Sequence, residues 1–271
     1  MFTACNPFPG VFHITDEMGV SFSLIEGEDS ALVFDAGYGT EDVAAYLRTL
    51  TEKPFELILS HGHHDHMLGA QWFDHSLMDP ADLEEFRLRA GSGQREKVRC
   101  QAEERGVTPY EGFMTAQIPE PLPLKYPDTV GPFACCVYDL GDREVWAVRV
   151  PGHTAGSVVL YLPDLQLLLT GDDWNPCTWM WFPCSLSVRQ WRENMIRFLD
   201  ALEEEAGSEV LHVLCSHQPN LREASELKEF LACMTEERLQ AAPPVDMGAP
   251  IRTHQVTEPD RGWVLLFDAD K

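Results

Sequence analysis

Long apolar runs are missing from this sequence. No stretch approaches the ~18 consecutive apolar residues of a membrane-crossing helix, which argues against a membrane partner. The opening residues, Met1-Phe2-Thr3-Ala4-Cys5-Asn6-Pro7, have neither a basic region nor an apolar core and do not read as a secretory leader. Positive charge is scarce: 20 Lys and Arg face 44 Asp and Glu, for a net charge of −24. A surface that acidic repels phosphate backbones and speaks against nucleic acid as a partner. The 8 cysteines include no C-x-x-C pair, and only Cys135 and Cys136 adjoin. Without a leader they read as reduced thiols of a cytoplasmic protein. The G-x-S-x-G turn of serine hydrolases is missing as well. What is present is ordinary for a soluble chain with a sizeable core, 44% hydrophobic and 24% charged over 271 residues.

The densest chemistry lies at Ser60-His61-Gly62-His63-His64-Asp65-His66, directly after the apolar Leu57-Ile58-Leu59. If this segment stays extended, positions i, i+2 and i+4 share one side, so His61, His63 and Asp65 converge while His64 faces away. His66, on the first turn of a following helix, then enters from another angle. Imidazoles with a carboxylate suit zinc, iron or manganese. The alternative is a solvated histidine-rich loop, against which stand the preceding apolar strand and the aspartate in register.

Upstream, residues 11–14, 21–25 and 31–34 read as strands between Asp/Glu/Gly turns. The third ends at Asp35-Ala36-Gly37-Tyr38-Gly39, where Asp35 either supports a metal site from behind or caps a helix over 41–50. Residues 55–59 are then the strand that delivers the histidines. Residues 79–130 change character, with charged helical segments at 81–89 and 94–104 and a proline-rich run at 118–123. They read as an insertion packed on the core of a single domain spanning 1–271, either shaping a substrate entrance or elaborating the surface. Strands at 135–140 and 144–150 lead into Pro151-Gly152-His153-Thr154-Ala155-Gly156-Ser157. A hairpin of 158–162 and 165–169, turning at Pro163-Asp164, ends in Thr170-Gly171-Asp172-Asp173. After an aromatic stretch and a helix over 188–204, a strand at 210–215 runs into Ser216-His217-Gln218. A helix over 221–237, a proline-rich connector at 241–250 and a strand at 263–267 form a C-terminal extension at about 221–271. Repeatedly, an apolar strand ends and a His or Asp follows at once. That pattern predicts an α/β fold with polar ligands along one sheet edge.

In His61-x-His63-x-Asp65-His66, Pro-Gly-His153, Thr-Gly-Asp172 and Ser-His217-Gln, in that order, the chain resembles the metallo-β-lactamase superfamily of metallohydrolases. Asp35 fits that family's first, weaker motif. The resemblance covers about residues 10–220. It implies a four-layer αββα sandwich, two sheets face to face with helices outside. It also implies two divalent metal ions, zinc by default with manganese or iron open. One would be held by His61, His63 and His153, the other by Asp65, His66 and His217, with Asp172 bridging both. Such a ligand set leaves positions open for water and substrate, which marks a catalytic centre. The implied reaction is hydrolysis. A hydroxide bridging the metals attacks an ester, thioester or lactone carbonyl of a small molecule, and Asp65 and Asp172 act as catalytic carboxylates.

Departures from the subfamilies narrow the field. β-Lactamases of the superfamily lack a bridging aspartate at the place of Asp172. Its diiron flavoproteins carry Glu where His63 stands. Its lactonases place a tyrosine after the bridging aspartate, whereas no Tyr follows Tyr161. Hydroxyacylglutathione hydrolases match best by motif, but their C-terminal Lys/Arg cluster is missing. The alternatives are a small-molecule phosphodiesterase and a mononuclear iron dioxygenase of the persulfide type. Trp174, Trp179, Trp181 and Phe182 either wall the pocket or pack in the core. If they wall it, an apolar ester, thioester or lactone fits better than a charged phosphate. His13, His64, His75, His212 and His254 read as structural or surface residues, and the sequence carries no sign of the oligomeric state.

Overall fold

In a computed structural model, which describes residues 1–248 and 251–271, two seven-stranded sheets carry the chain. The first runs in sequence order through Thr3–Phe8 (β1), Val11–Thr15 (β2), Ser21–Glu26 (β3), Ala31–Phe34 (β4), Phe55–Ile58 (β5), Leu77–Met78 (β6) and Leu122–Pro123 (β7). Strands β1 to β4 form an antiparallel meander, and β5 joins β4 in parallel. Every residue of β4 is buried, as expected for an apolar run covered on both faces. The second sheet contains Asp128–Val130 (β8), Phe133–Asp139 (β9), Glu144–Arg149 (β10), Val158–Leu162 (β11) and Leu167–Leu169 (β12). Cys177–Met180 (β13) leaves it, and His212–Leu214 (β14) and Arg222–Glu223 (β15) return to it beyond β12. Thr253–Glu258 (β16) and Trp263–Asp268 (β17) pair antiparallel, and β13 joins β17 in parallel to make a small third sheet.

The inner faces of the large sheets meet in one apolar layer, with Val11, Ile25, Leu32, Phe34 and Ile58 on one side and Val145, Ala147, Leu160, Leu167 and Leu169 on the other. Outside the first sheet lie Val43–Leu47 (α1), His64–Met67 (α2), Leu83–Arg89 (α3) and Ser92–Glu104 (α4). There Val43, Leu47, Phe86 and Val98 pack on Leu24, Val33 and Leu57. Outside the second lie Val188–Ala206 (α5), Ala224–Cys233 (α6) and Glu236–Ala241 (α7). The layers are therefore αββα, as the resemblance implies. Helix α5 shows why: Val188, Trp191, Met195, Phe198, Leu199 and Leu202 are buried at three- to four-residue spacing, Ser187 and Gln190 form a capping box, and Gly207 closes the helix at φ 64°. No helix among the described residues is long and apolar enough to cross a membrane.

Several elements differ from expectation. The helix expected over 221–237 divides into β15, α6 and α7, because Met234 leaves the helical region (ψ 58°) and the Thr235 side chain accepts from Arg238 N to start α7. The helix near residue 41 is short, and Asp42 caps it rather than Asp35. The turn at Pro163-Asp164 is a 3-10 turn, Pro163–Leu165, closed by Gln166 at φ 50°. Strands β1, β13 and β16 have no counterpart in the sequence reading. Within 79–130, the described chain supplies α3, α4, an edge strand of the first sheet (β7, whose Pro123 suits an edge) and an edge strand of the second (β8). The expected connector at 241–250 ends on residues outside those described.

Strand direction creates the site. Because β10 and β12 are both antiparallel to β11, and β14 is parallel to β12, these three strands end at one edge. His153, Asp172 and His217 follow those ends, as Asp35 and His61 follow the parallel β4 and β5.

Candidate metal centre

After β5 the chain passes through His61 and Gly62 and bends into α2, with His63 as its extended N-cap (φ −77°, ψ 147°). Asp65 is therefore not a continuation of the extended run with His61 and His63. It sits with His66 in the first turn of α2, and that bend sorts the ligands into two groups. His61, His63 and His153 converge in one; Asp65, His66, Asp172 and His217 converge in the other. Close packing enforces the bend, since a Cβ on Gly62 would lie 2.7 Å from Phe86 N and 2.9 Å from Asp82 O. Asp82 also ties two motif loops together, accepting from Gly62 N at 2.9 Å and Gly156 N at 2.8 Å.

Four of the imidazoles are held from behind. His61 Nδ1 donates to Ser60 Oγ (2.8 Å), which donates to Asp35 Oδ2 (2.8 Å). Asp35 Oδ2 also accepts from His66 Nδ1 (2.9 Å), and Asp35 Oδ1 accepts from Ser60 N (2.7 Å). Asp35 thus supports the site rather than capping a helix, and it does so from a left-handed backbone at φ 66°. His153 Nδ1 donates to Trp179 O (2.8 Å), and its backbone N–H donates to Asp173 Oδ1 (2.7 Å). His63 turns its Nε2 toward Glu85 Oε1 (3.5 Å) and Cys184 Sγ (3.4 Å). Asn175 braces the far side, donating to Asp172 Oδ1 (3.0 Å) and accepting from His217 N (3.1 Å). These partners orient the rings of His61, His63, His66 and His153 and leave one nitrogen of each facing inward.

The inward atoms fit a cation. His61 Nε2 and His66 Nε2 are buried without a hydrogen-bond partner, and His63 Nδ1 and His153 Nε2 face each other at 2.9 Å. In the second group, Asp172 Oδ2 lies 3.2 Å from His66 Nε2 and 3.2 Å from His217 Nε2, and Asp65 Oδ2 lies 3.7 Å from each. Ligand–metal bonds of about 2.0–2.1 Å in a tetrahedron require ligand separations of roughly 3.3 Å. Asp172 Oδ2 is also 3.7 Å from His153 Nε2, so this carboxylate reaches both groups.

Electrostatics divides the site in the same way. Burial, then the neighbouring rings, holds His61 well below its ordinary value; burial takes His63 down to about 3 and also lowers His153. Those three are neutral, as ligands must be. For His66 and His217 burial works against the proton, but the carboxylates of Asp172 and Asp65 outweigh it and raise both. Burial likewise opposes ionisation of Asp65 and Asp172, and the surrounding histidines overcome it.

Both groups open on a cavity of about 710 Å³. Trp179, Trp181 and Phe182 line it, whereas Trp174 is fully buried in the core against Phe230. The aromatic stretch thus divides between wall and core. Tyr38, His64, Arg89 and Arg105 also line the cavity. His64 therefore belongs to the wall, not to a remote surface. Asp82 and Asp173 escaped the sequence reading because each acts across a tertiary contact with no local motif, and Asn175 because its bond to Asp172 matters only once His217 is brought beside it.

A sequence profile of the metallo-beta-lactamase superfamily matches residues 15–173. Human acyl-coenzyme A thioesterase MBLAC2 is 26% identical over 178 residues, which is 56% of this chain and 60% of that protein. The chain thus matches about three-fifths of the length of its curated relatives. Among solved structures, the sec-alkylsulfatase Pisa1 from Pseudomonas sp. superposes with a TM-score of 0.60 at 14% identity, covering 86% of this chain and 40% of that one. A metallo-beta-lactamase from Pontibacter korlensis gives 0.56 at 15% identity, covering 86% and 98%. Those two likenesses concern the fold. With the profile spanning more than half of its 271 residues, the chain belongs to the metallo-β-lactamase superfamily, a superfamily of metal-dependent hydrolases.

Proposed function

We propose that this chain is a dinuclear metal-dependent hydrolase of small-molecule thioesters. One cation is held by His61, His63 and His153, the other by Asp65, His66 and His217, and Asp172 bridges them. The observation that carries this reading is the reach of Asp172 Oδ2, 3.2 Å from His66 Nε2 and 3.7 Å from His153 Nε2. Bound there, two divalent cations, zinc by the donor set with manganese or iron as substitutes, supply Lewis acidity and a water of lowered pKa.

The chain's own groups do the rest. Asp65, kept ionised by its histidine neighbours, orients the attacking water and accepts its proton. Asp35, Ser60 and Asn175 hold the ligands in register, so little reorganisation accompanies the reaction. Trp179, Trp181 and Phe182 offer an apolar wall to one substituent of the carbonyl and keep bulk water from that side. Residues 79–130, read as an insertion in a single domain, contribute Arg89, Gln101, Glu104 and Arg105 to the opening. Thioesters are favoured over other esters because the curated relatives are named acyl-coenzyme A thioesterases.

The test is a side-by-side rate assay on zinc- and manganese-loaded protein with a thioester, an activated carboxylic ester and a phosphodiester, using Asp172→Ala as blank. Turnover of the thioester with the phosphodiester spared supports the proposal. Preference for the phosphodiester would refute it.

A further inference from the structure

The cavity has two unlike ends. At the end of His63 and His153 stand the aromatics, with the Phe182 ring centroid 4.7 Å from that of His63 and 5.5 Å from that of His153. Trp181 stacks on Phe182 at 4.5 Å. At the end of Asp65 stands Tyr38, three residues after Asp35. Gly37 (φ 65°) reverses the chain there, and Tyr38 N donates to Asp16 Oδ2 at 2.9 Å. The Tyr38 ring meets His64 edge-on at 5.6 Å, and its 9% exposure opens on the cavity.

Among the described residues, no group accepts the Tyr38 hydroxyl hydrogen. The hydroxyl oxygen itself is open to solvent, and its open direction is the cavity that Asp65, Asp172 and His217 line. Some other polar groups of the wall are engaged, while Trp181 Nε1, at the aromatic end, has no partner among the described residues. Asn175 holds Asp172, Arg105 binds Met18 O, and Arg89 pairs with Glu85.

We propose that Tyr38 is a catalytic residue whose hydroxyl donates a hydrogen bond to the substrate's carbonyl oxygen, fixing the thioester with its acyl group on the Trp179/Trp181/Phe182 wall. This assignment rests on the hydrolase reading above and adds the substrate's orientation within the site. The hydrogen bond strengthens as the carbonyl oxygen gains negative charge, so it favours the transition state over bound substrate. The proton stays on the phenol: burial, then Asp65 and Asp16, holds it well above its ordinary value.

Tyr38→Phe keeps the ring and removes only the oxygen. Metal content, kcat and KM are measured on an aryl thioester and an alkyl thioester with the same acyl group. The expected result is two cations bound, KM little changed, and kcat lowered about a hundredfold on both substrates. An unchanged kcat overturns the proposal. So does a loss confined to the alkyl thioester, which would put the hydroxyl on the leaving sulfur. Binding gives a second readout: a trifluoromethyl ketone analogue, which binds as its tetrahedral hydrate, should bind the variant more weakly, and a thioether analogue without the carbonyl should bind both proteins alike. Equal loss for both analogues overturns the proposal. Wild-type protein inactive on every thioester refutes the hydrolase reading, whereas active wild type with unaltered Tyr38→Phe refutes this contact alone.

Discussion

Replacing Asp35 with asparagine removes a charge and almost no volume from behind the site, and asparagine tolerates the left-handed backbone at φ 66°. The hydrogen bonds do not tolerate it. Asp35 accepts from Ser60 N through Oδ1 and from Ser60 Oγ and His66 Nδ1 through Oδ2. An amide offers one oxygen for these three donors. If its NH2 occupies the Oδ2 position, it confronts His66 Nδ1–H and Ser60 Oγ–H. His66 can then escape only by moving its proton to Nε2, the nitrogen aimed at the metal. In the reverse orientation the NH2 confronts Ser60 N–H. Either way the ligand shell loses a fixed tautomer, and removing such an outer partner costs roughly 10–100-fold in metal affinity, about 1.4–2.7 kcal/mol. Competition titration against a chromophoric chelator measures this, with circular dichroism confirming a retained fold. Wild-type affinity in Asp35→Asn would refute the reasoning.

Asp82→Ala strips acceptors from two backbone N–H groups, those of Gly62 and Gly156. At about 1–3 kcal/mol for each buried donor left unsatisfied, thermal melts should show a loss of about 2–6 kcal/mol, and an unchanged Tm would contradict the loop-tying role. Trp174→Ala, in the core, should cost about 3–5 kcal/mol in denaturant unfolding, while Trp179→Ala, 39% exposed, should cost much less and instead raise KM; reversed costs would show the wall and core assignments to be wrong. Metal binding should release protons at neutral pH. His66 and His217 are raised above the ordinary 6.5, so in the metal-free chain their stabilisation is complete below that value and is lost as pH rises through the folded values. The incoming cations must displace those protons, so apparent affinity climbs as pH rises. Calorimetry in two buffers of different ionisation enthalpy reads the release, and identical heats would count against it.

The clustered histidines and aspartates were legible because they follow the ends of apolar strands, and a strand end can be read locally. The bend at Gly62 was not. It depends on the start of α3, twenty residues on, pressing against the motif, so extrapolating the strand misassigned the side from which Asp65 enters and turned His64 away from the site. Strand β13 gives no local signal, because polar Thr178 is buried while Cys177 and Trp179 are exposed, against the apolar-in alternation of a half-buried strand. Trp179 is on the exposed side of that strand, whereas Trp174 precedes it and packs against Phe230. Strands β1 and β16 carry too little apolar patterning to read. They exist because a neighbouring strand supplies the hydrogen-bonding edge. Asp82 is a single polar residue among many, and only tertiary contact gives it a role.

The most direct test is anomalous scattering from crystals of the zinc-loaded protein, recorded at the zinc edge. The account predicts two peaks about 3.5–4 Å apart, one among His61, His63 and His153 and one among Asp65, His66 and His217, with Asp172 between them. A single fully occupied peak, or zinc bound elsewhere on the chain, would contradict it.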